Sequence, residues 1–175
     1  MGFEEFTVNL PGIGSGKWVV NRDQRKAAWE MYVELVTRIS TLPLADDEGL
    51  LREALSSLHI IFGETRRILR DYGPEIARPQ KKNHYSFGAI AVDVLNHWLR
   101  PFLSTWHPRL EDYERSRPVG VPAPTHERTW SHAKELRDDL RTLQFRLNAY
   151  ADLLAQVCDV PALHAKLAAP VTSGS

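Results

Sequence analysis

The chain has 175 residues, 43% of them hydrophobic and 25% charged, and its 22 basic and 22 acidic side chains cancel. This composition fits one globular domain with its own core, and zero net charge gives no general affinity for nucleic acid or anionic lipid. A single cysteine, Cys158, excludes an internal disulfide and a cysteine-only metal site. No secretory signal and no run of 18 apolar residues occurs, so we expect a cytoplasmic protein.

The basic residues are mostly arginine, with six lysines against 16 arginines. Together with abundant alanine and leucine, this bias is typical of GC-rich coding sequences and favours a bacterial source. The same bias makes any individual arginine weak evidence for a functional role.

Residues 1–20 lack helical periodicity. Two short apolar runs, 6–10 and 17–20, flank a glycine-rich stretch at 11–16. This pattern predicts an N-terminal arm that is irregular or forms a short hairpin. We therefore divide the chain into an N-terminal arm (1–20), a helical bundle domain (21–169) and a flexible tail (170–175).

The rest of the chain shows apolar residues at steps of three and four, which is typical of amphipathic helices. Asn21 and Gln24 form a capping box before the first helix, and Asp46 or Asp47 caps the second. We expect long helices over residues 22–40, 47–72, 86–115 and 125–158, and a short terminal helix over 161–168. The third either runs through Pro101 with a kink or breaks near Trp106.

Long helices joined by short connectors predict an all-α fold, an antiparallel up-and-down four-helix bundle. The third helix carries the unusual chemistry. Six of its polar side chains recur at helical spacing: Asp93, Asn96, His97, Arg100, Ser104 and His107. On a continuous helix they lie on one side, and the simplest interpretation is an ordinary solvent face.

Two features favour a recognition surface on this helix instead. Pro101 removes a backbone hydrogen bond inside it, and two tryptophans supply large semi-polar surface nearby. We predict a binding patch of His97, Trp98, Arg100, Trp106 and His107, with Trp18 and Trp130 behind it.

Motifs for known catalytic chemistry are absent. The chain has no Gly-x-Ser-x-Gly, His-Glu-x-x-His, Cys-x-x-Cys or Glu-x-x-His sequence, so we expect no metal and no cofactor. Our leading hypothesis is a non-enzymatic interaction module, an accessory or adaptor subunit that binds another protein or its own copy. Small-ligand binding in the bundle core is a further alternative, and it requires His97 or Asn96 to turn inward.

An enzymatic alternative comes from one spacing that occurs twice. His107 follows Arg100 after six residues, and His59 follows Arg52 after six. An arginine and a histidine so spaced in a helical bundle resemble the catalytic motif of HEPN-type ribonucleases. The resemblance implies metal-independent RNA cleavage across a dimer, in which Arg100 stabilises the phosphorane charge and His107 acts as general acid or base.

Overall fold

The computed structural model describes residues 4–38, 44 and 48–164. It contains two strands, β1 (Glu4–Leu10) and β2 (Gly14–Val20). The helices are α1 (Arg22–Val36), α2 (Leu51–Tyr72), α3 (Phe87–Val94), α4 (Arg100–Arg115), α5 (Ala123–Arg128) and α6 (Ala133–Cys158). A 3-10 turn (Gly73–Ile76) follows α2, and a π-helical turn (Leu95–Leu99) joins α3 to α4. In these residues no helix has an apolar stretch long enough to cross a membrane.

The predicted all-α fold class is wrong, because β1 and β2 form an antiparallel hairpin. Its register places Glu4 opposite Val20 and Leu10 opposite Gly14. Val8 and Trp18 are completely buried, so the hairpin belongs to the core and is not an arm lying on a helical bundle. Four helices are long, but the protein is a mainly helical fold with a β-hairpin rather than the four-helix bundle that we expected.

Packing of Tyr85 against the hairpin explains the glycine at position 16. The Tyr85 amide donates a hydrogen bond to the Lys17 carbonyl at 2.7 Å, which adds one bridge beside β2. A Cβ atom on Gly16 would lie 2.8 Å from the Tyr85 ring, inside van der Waals contact. The glycine therefore lets the loop before α3 lie flat on the sheet.

Gln24 joins the hairpin to the helices. Its backbone amide donates to the Asn21 side chain at 2.8 Å, so the predicted N-cap is confirmed. Its side chain, however, does not return to the cap. The buried amide accepts hydrogen bonds from the Trp18 indole and from the Phe87 amide (3.1 Å), and it donates to the Arg78 carbonyl (3.1 Å).

The helix boundaries differ from the predicted ones in several places. The first helix ends at Val36, short of the predicted residue 40, and the second begins at Leu51 with Leu50 as its N-cap, so the predicted caps Asp46 and Asp47 are wrong. Residues 39–40, 165–168 and 170–175 lie outside the described part of the chain. The third helical segment does not break near Trp106 but continues through Pro101 and Pro108 to Arg115. The last one is divided into α5 and α6 by residues 129–132, where Trp130 turns into the core. Residues 161–163 are not helical.

Among the helices, α1 packs against α2 and α6, and α2 packs against α4. The chain beyond α6 returns to α1, where the Tyr32 hydroxyl accepts a hydrogen bond from the Leu163 amide at 2.7 Å. His164 contacts Asp152 at 3.0 Å in the same place. The central position of α2 leaves one of its sides facing α4 and another facing solvent.

A carboxylate from α5 caps the start of α2. Both oxygens of Glu127 accept from the Leu51 amide at 3.0 Å, and Arg137 lies 3.7 Å away. An anion at a helix N-terminus is stabilised by the helix dipole. Glu127 is nevertheless only 8% exposed, and this burial raises the pKa of its carboxyl group, against the opposing effects of Leu51 and Arg137.

We expect this raised pKa to appear as a pH dependence of stability. Between the ordinary glutamate pKa and the raised one, the folded protein binds more protons than the unfolded chain, so the free energy of unfolding decreases as pH rises through that window. Glu127→Gln should remove this contribution. Urea unfolding from pH 4 to 7 should give a stability difference between variant and parent that changes with pH. Asp112→Asn, at an exposed carboxylate that forms no ion pair in the described residues, is the control. Parallel curves for Glu127→Gln and the parent would contradict the prediction.

Candidate functional site

The π turn decides where the predicted binding residues lie. The Arg100 amide bonds back to the Leu95 carbonyl, five residues earlier, and Pro101 follows with no amide hydrogen to donate. A five-residue step adds one residue to the turn, which offsets the following side chains by roughly 100° from α-helical register. The polar row therefore does not stay on one side of the helix.

His97 is the member of this row that lies beside α6. His97, with a 58% exposed side chain, is 3.6 Å from Asp93 and borders a groove of about 300 Å³ between the π turn, α4 and α6. We call this the α4–α6 groove. Asn96 and His97 are both exposed, so neither turns into the core as the small-ligand alternative required.

Trp98 and Trp106 line the buried floor of this groove. Trp98 is 2% exposed and donates to the Pro11 carbonyl at 3.0 Å, which ties the hairpin turn to the π turn. Trp106 is 1% exposed and donates to Asp139 at 2.9 Å. Trp18 and Trp130 are buried as well. The tryptophans therefore hold neighbouring elements together beneath the groove, and little of their own surface area is free to contact a partner.

The second half of the polar row faces α2. Arg100, Ser104 and His107 border a groove of about 490 Å³ between α2 and α4, which we call the α2–α4 groove. The other lining residues are His59, Phe62, Arg66, Leu103, Pro108 and Glu111. Two of the five predicted binding residues, Arg100 and His107, thus share a groove, whereas His97, Trp98 and Trp106 border a different one.

Two arginines stack on one aromatic ring in the α2–α4 groove. The guanidinium carbon of Arg66 is 4.6 Å from the Phe62 ring centroid, and that of Arg100 is 5.4 Å away. Arg100 also donates to Asn96 at 3.2 Å, but within the described part of the chain neither guanidinium pairs with a carboxylate. Stacking holds the faces of these groups and leaves N–H edges for a carboxylate or phosphate.

The histidines of the two Arg-x6-His spacings meet in the same groove. The imidazole centroids of His59 and His107 are 6.2 Å apart, with their planes at 75°. Arg52 lies 3.2 Å from the His107 ring nitrogen Nδ1 and bonds Glu114 at 2.8 Å. Glu114 thus neutralises Arg52, and Arg52 holds His107 in place.

Sequence reasoning missed Phe62 and Arg66 as site residues. Their spacing of four on α2 favours contact between the two side chains, and this was the available local signal. The sequence did not show that α2 would lie next to Arg100.

Comparisons with protein-family models, with curated proteins and with solved structures return no match. In the described residues, no group of three or more histidine, cysteine, aspartate or glutamate side chains is placed to hold a metal ion.

Proposed function

We propose that this protein is a non-enzymatic interaction module, an accessory or adaptor subunit, whose α2–α4 groove binds an acidic, partly apolar segment of a partner protein. The observation that carries the proposal is the stacking of Arg66 and Arg100 on Phe62, without a carboxylate partner in the described chain. These two cations are already held in position, so a bound carboxylate would cost little additional side-chain entropy.

The chemistry of the groove supports a peptide segment as the ligand. Phe62, Leu103 and Pro108 supply apolar lining for a hydrophobic side chain, next to the two arginines. Aromatic residues and arginine are the types that contribute most to protein interfaces. Glu111 lies three helical turns beyond Arg100 on α4, so the groove has a cationic and an anionic end that would orient the segment.

Reversing the two charges tests the proposal. A hydrogen bond to a charged group contributes about 1.5–3 kcal/mol, so each arginine should account for at least about tenfold in affinity. We expect Arg66→Glu with Arg100→Glu to weaken binding of a fluorescent peptide of alternating glutamate and leucine by roughly 100-fold or more, measured by fluorescence anisotropy.

The control variant is Arg22→Glu with Arg128→Glu, which changes the net charge equally at exposed positions outside the groove. It should bind the acidic peptide with the affinity of the parent protein. Equal affinity of the parent protein for a lysine–leucine peptide, or unchanged binding by the groove variant, would contradict the proposal.

A second candidate function is metal-independent RNA cleavage, and the close approach of His59 and His107 favours it. Paired imidazoles can act as general base and general acid, and Arg66 and Arg100 could hold the phosphate between them. In the presence of EDTA, His59→Asn with His107→Asn should then lower cleavage of a labelled RNA by about 100-fold or more. His97→Asn, at an exposed position outside the groove, is the control. Equal cleavage by all three proteins would eliminate this candidate.

A further inference from the structure

The solvent-facing side of α2 carries a line of residues at alternating steps of three and four, which we call the α2 ridge. Its members are Glu53, Ser56, Ile60, Gly63, Arg67 and Arg70. Such a spacing forms the contact seam when two helices pack at a shallow angle. The ridge lies opposite the buried side of α2. It contains a glycine in the middle of the helix and an exposed isoleucine, and both lower the stability of an isolated monomer.

The glycine is Gly63 and the isoleucine is Ile60. A Cβ atom built on Gly63 meets no described atom within 4 Å, although glycine in the middle of a helix is less favourable than alanine. Ile60, one turn earlier, is 47% exposed. A helix from another molecule could approach closely at Gly63 and cover Ile60.

We propose that a second copy of this chain covers the α2 ridge, with the two α2 helices antiparallel about a twofold axis. In the register that places Ile60 opposite Gly63 of the partner subunit, Glu53 lies opposite Arg70 of the partner subunit. Both contacts occur twice because a twofold interface is self-complementary. The exposed isoleucine of each copy then fills the space that the glycine of the other leaves.

Charge along the ridge selects the antiparallel arrangement. Glu53 and Arg70 are exposed, and in the described residues neither forms an ion pair with another side chain. A parallel arrangement would place Glu53 and Arg70 each opposite its own copy, where like charges repel. The antiparallel one brings each glutamate to an arginine.

The size of the surface sets the expected strength. A 22-residue helix is about 33 Å long, so one helix pair gives an interface at the small end of the range for specific complexes. We therefore expect a monomer–dimer equilibrium that depends on concentration. This inference does not depend on what the α2–α4 groove binds.

Charge exchange between Glu53 and Arg70 tests the register. Glu53→Arg or Arg70→Glu alone should raise the dimer dissociation constant by roughly tenfold or more, because each change affects two symmetric contacts. The double variant should restore the parent value, since it re-forms both pairs in the opposite sense. Sedimentation equilibrium measures all four constants. A parent protein that stays monomeric up to about 0.5 mM, or a double variant without rescue, would overturn the proposal.

Gly63→Ala separates dimer formation from folding. In dilute monomer the variant should have a higher melting temperature than the parent, because alanine favours the helix and its methyl group meets open space. At high concentration the same methyl group should hold the helices apart and raise the dissociation constant. An unchanged dissociation constant for Gly63→Ala would overturn the close approach at this residue.

Discussion

Replacing Gln24 with leucine is expected to lower the free energy of unfolding by about 3 kcal/mol or more. The two side chains are similar in size, but leucine cannot accept from the Trp18 indole or the Phe87 amide, nor donate to the Arg78 carbonyl. Each polar group left buried without a partner costs about 1–3 kcal/mol. The lost hydrogen bonds would lie where the hairpin, α1 and α3 meet.

Urea unfolding followed by circular dichroism measures this effect. Gln156→Leu provides the matched control, since Gln156 is exposed on α6 and the same substitution there should change stability by less than about 0.5 kcal/mol. A similar small change for Gln24→Leu would show that the buried amide does not join these three elements.

Trp106→Ala is also expected to be strongly destabilising. The indole is buried, donates to Asp139, and packs edge-on against Trp130 with ring centroids 6.2 Å apart. Truncation of a buried tryptophan costs about 3–5 kcal/mol through lost burial and the cavity that remains. For a domain of this length the melting temperature should fall by roughly 6–20 °C.

Thermal unfolding of Trp106→Ala and Trp29→Ala compares a buried tryptophan with one that is 42% exposed on α1. We expect Trp29→Ala to lower the melting temperature by only a few degrees, and Trp106→Phe to fall between the two alanine variants. Equal decreases for Trp106→Ala and Trp29→Ala would contradict the supporting role of Trp106 below the α4–α6 groove.

Local chemistry predicted the ends of several helices well. The Asn21 cap, the stop of α2 at Gly73 and the end of α6 at Cys158 follow from capping, turn and periodicity rules. The hairpin was harder to predict because its place in the core depends on distant residues, Gln24 and Tyr85. No short window of sequence contains both the strands and these partners.

The division of the last helical segment has a similar cause. Its apolar steps continue without a slip from Ala133 to Val157, but the turn at residues 129–132 depends on tertiary packing of Trp130 against Trp106 and Tyr113. Helical periodicity shows which side of a helix is buried, but it does not show which other elements pack against that side. Tertiary contacts therefore decided this boundary.

The binding patch on the third helix stays a prediction, and the structure bears only on where its residues lie. Arg100 and His107 do line one groove, but the prediction of a single row assumed 3.6 residues per turn across Pro101. The π turn breaks that assumption and sends His97 to the other side. The contribution of α2, through Phe62 and Arg66, depends on which helices are neighbours, and periodicity does not specify this.

A π turn corresponds to the insertion of one residue, and so of one codon, into an otherwise regular α-helix. A chain that lacked Asn96 would join α3 and α4 as one continuous α-helix and rotate Arg100, Ser104 and His107 by roughly 100° about its axis. Arg100 would then leave the ring of Phe62, and His107 would leave His59. One extra residue in the π turn therefore directs Arg100 and His107 of α4 into the α2–α4 groove.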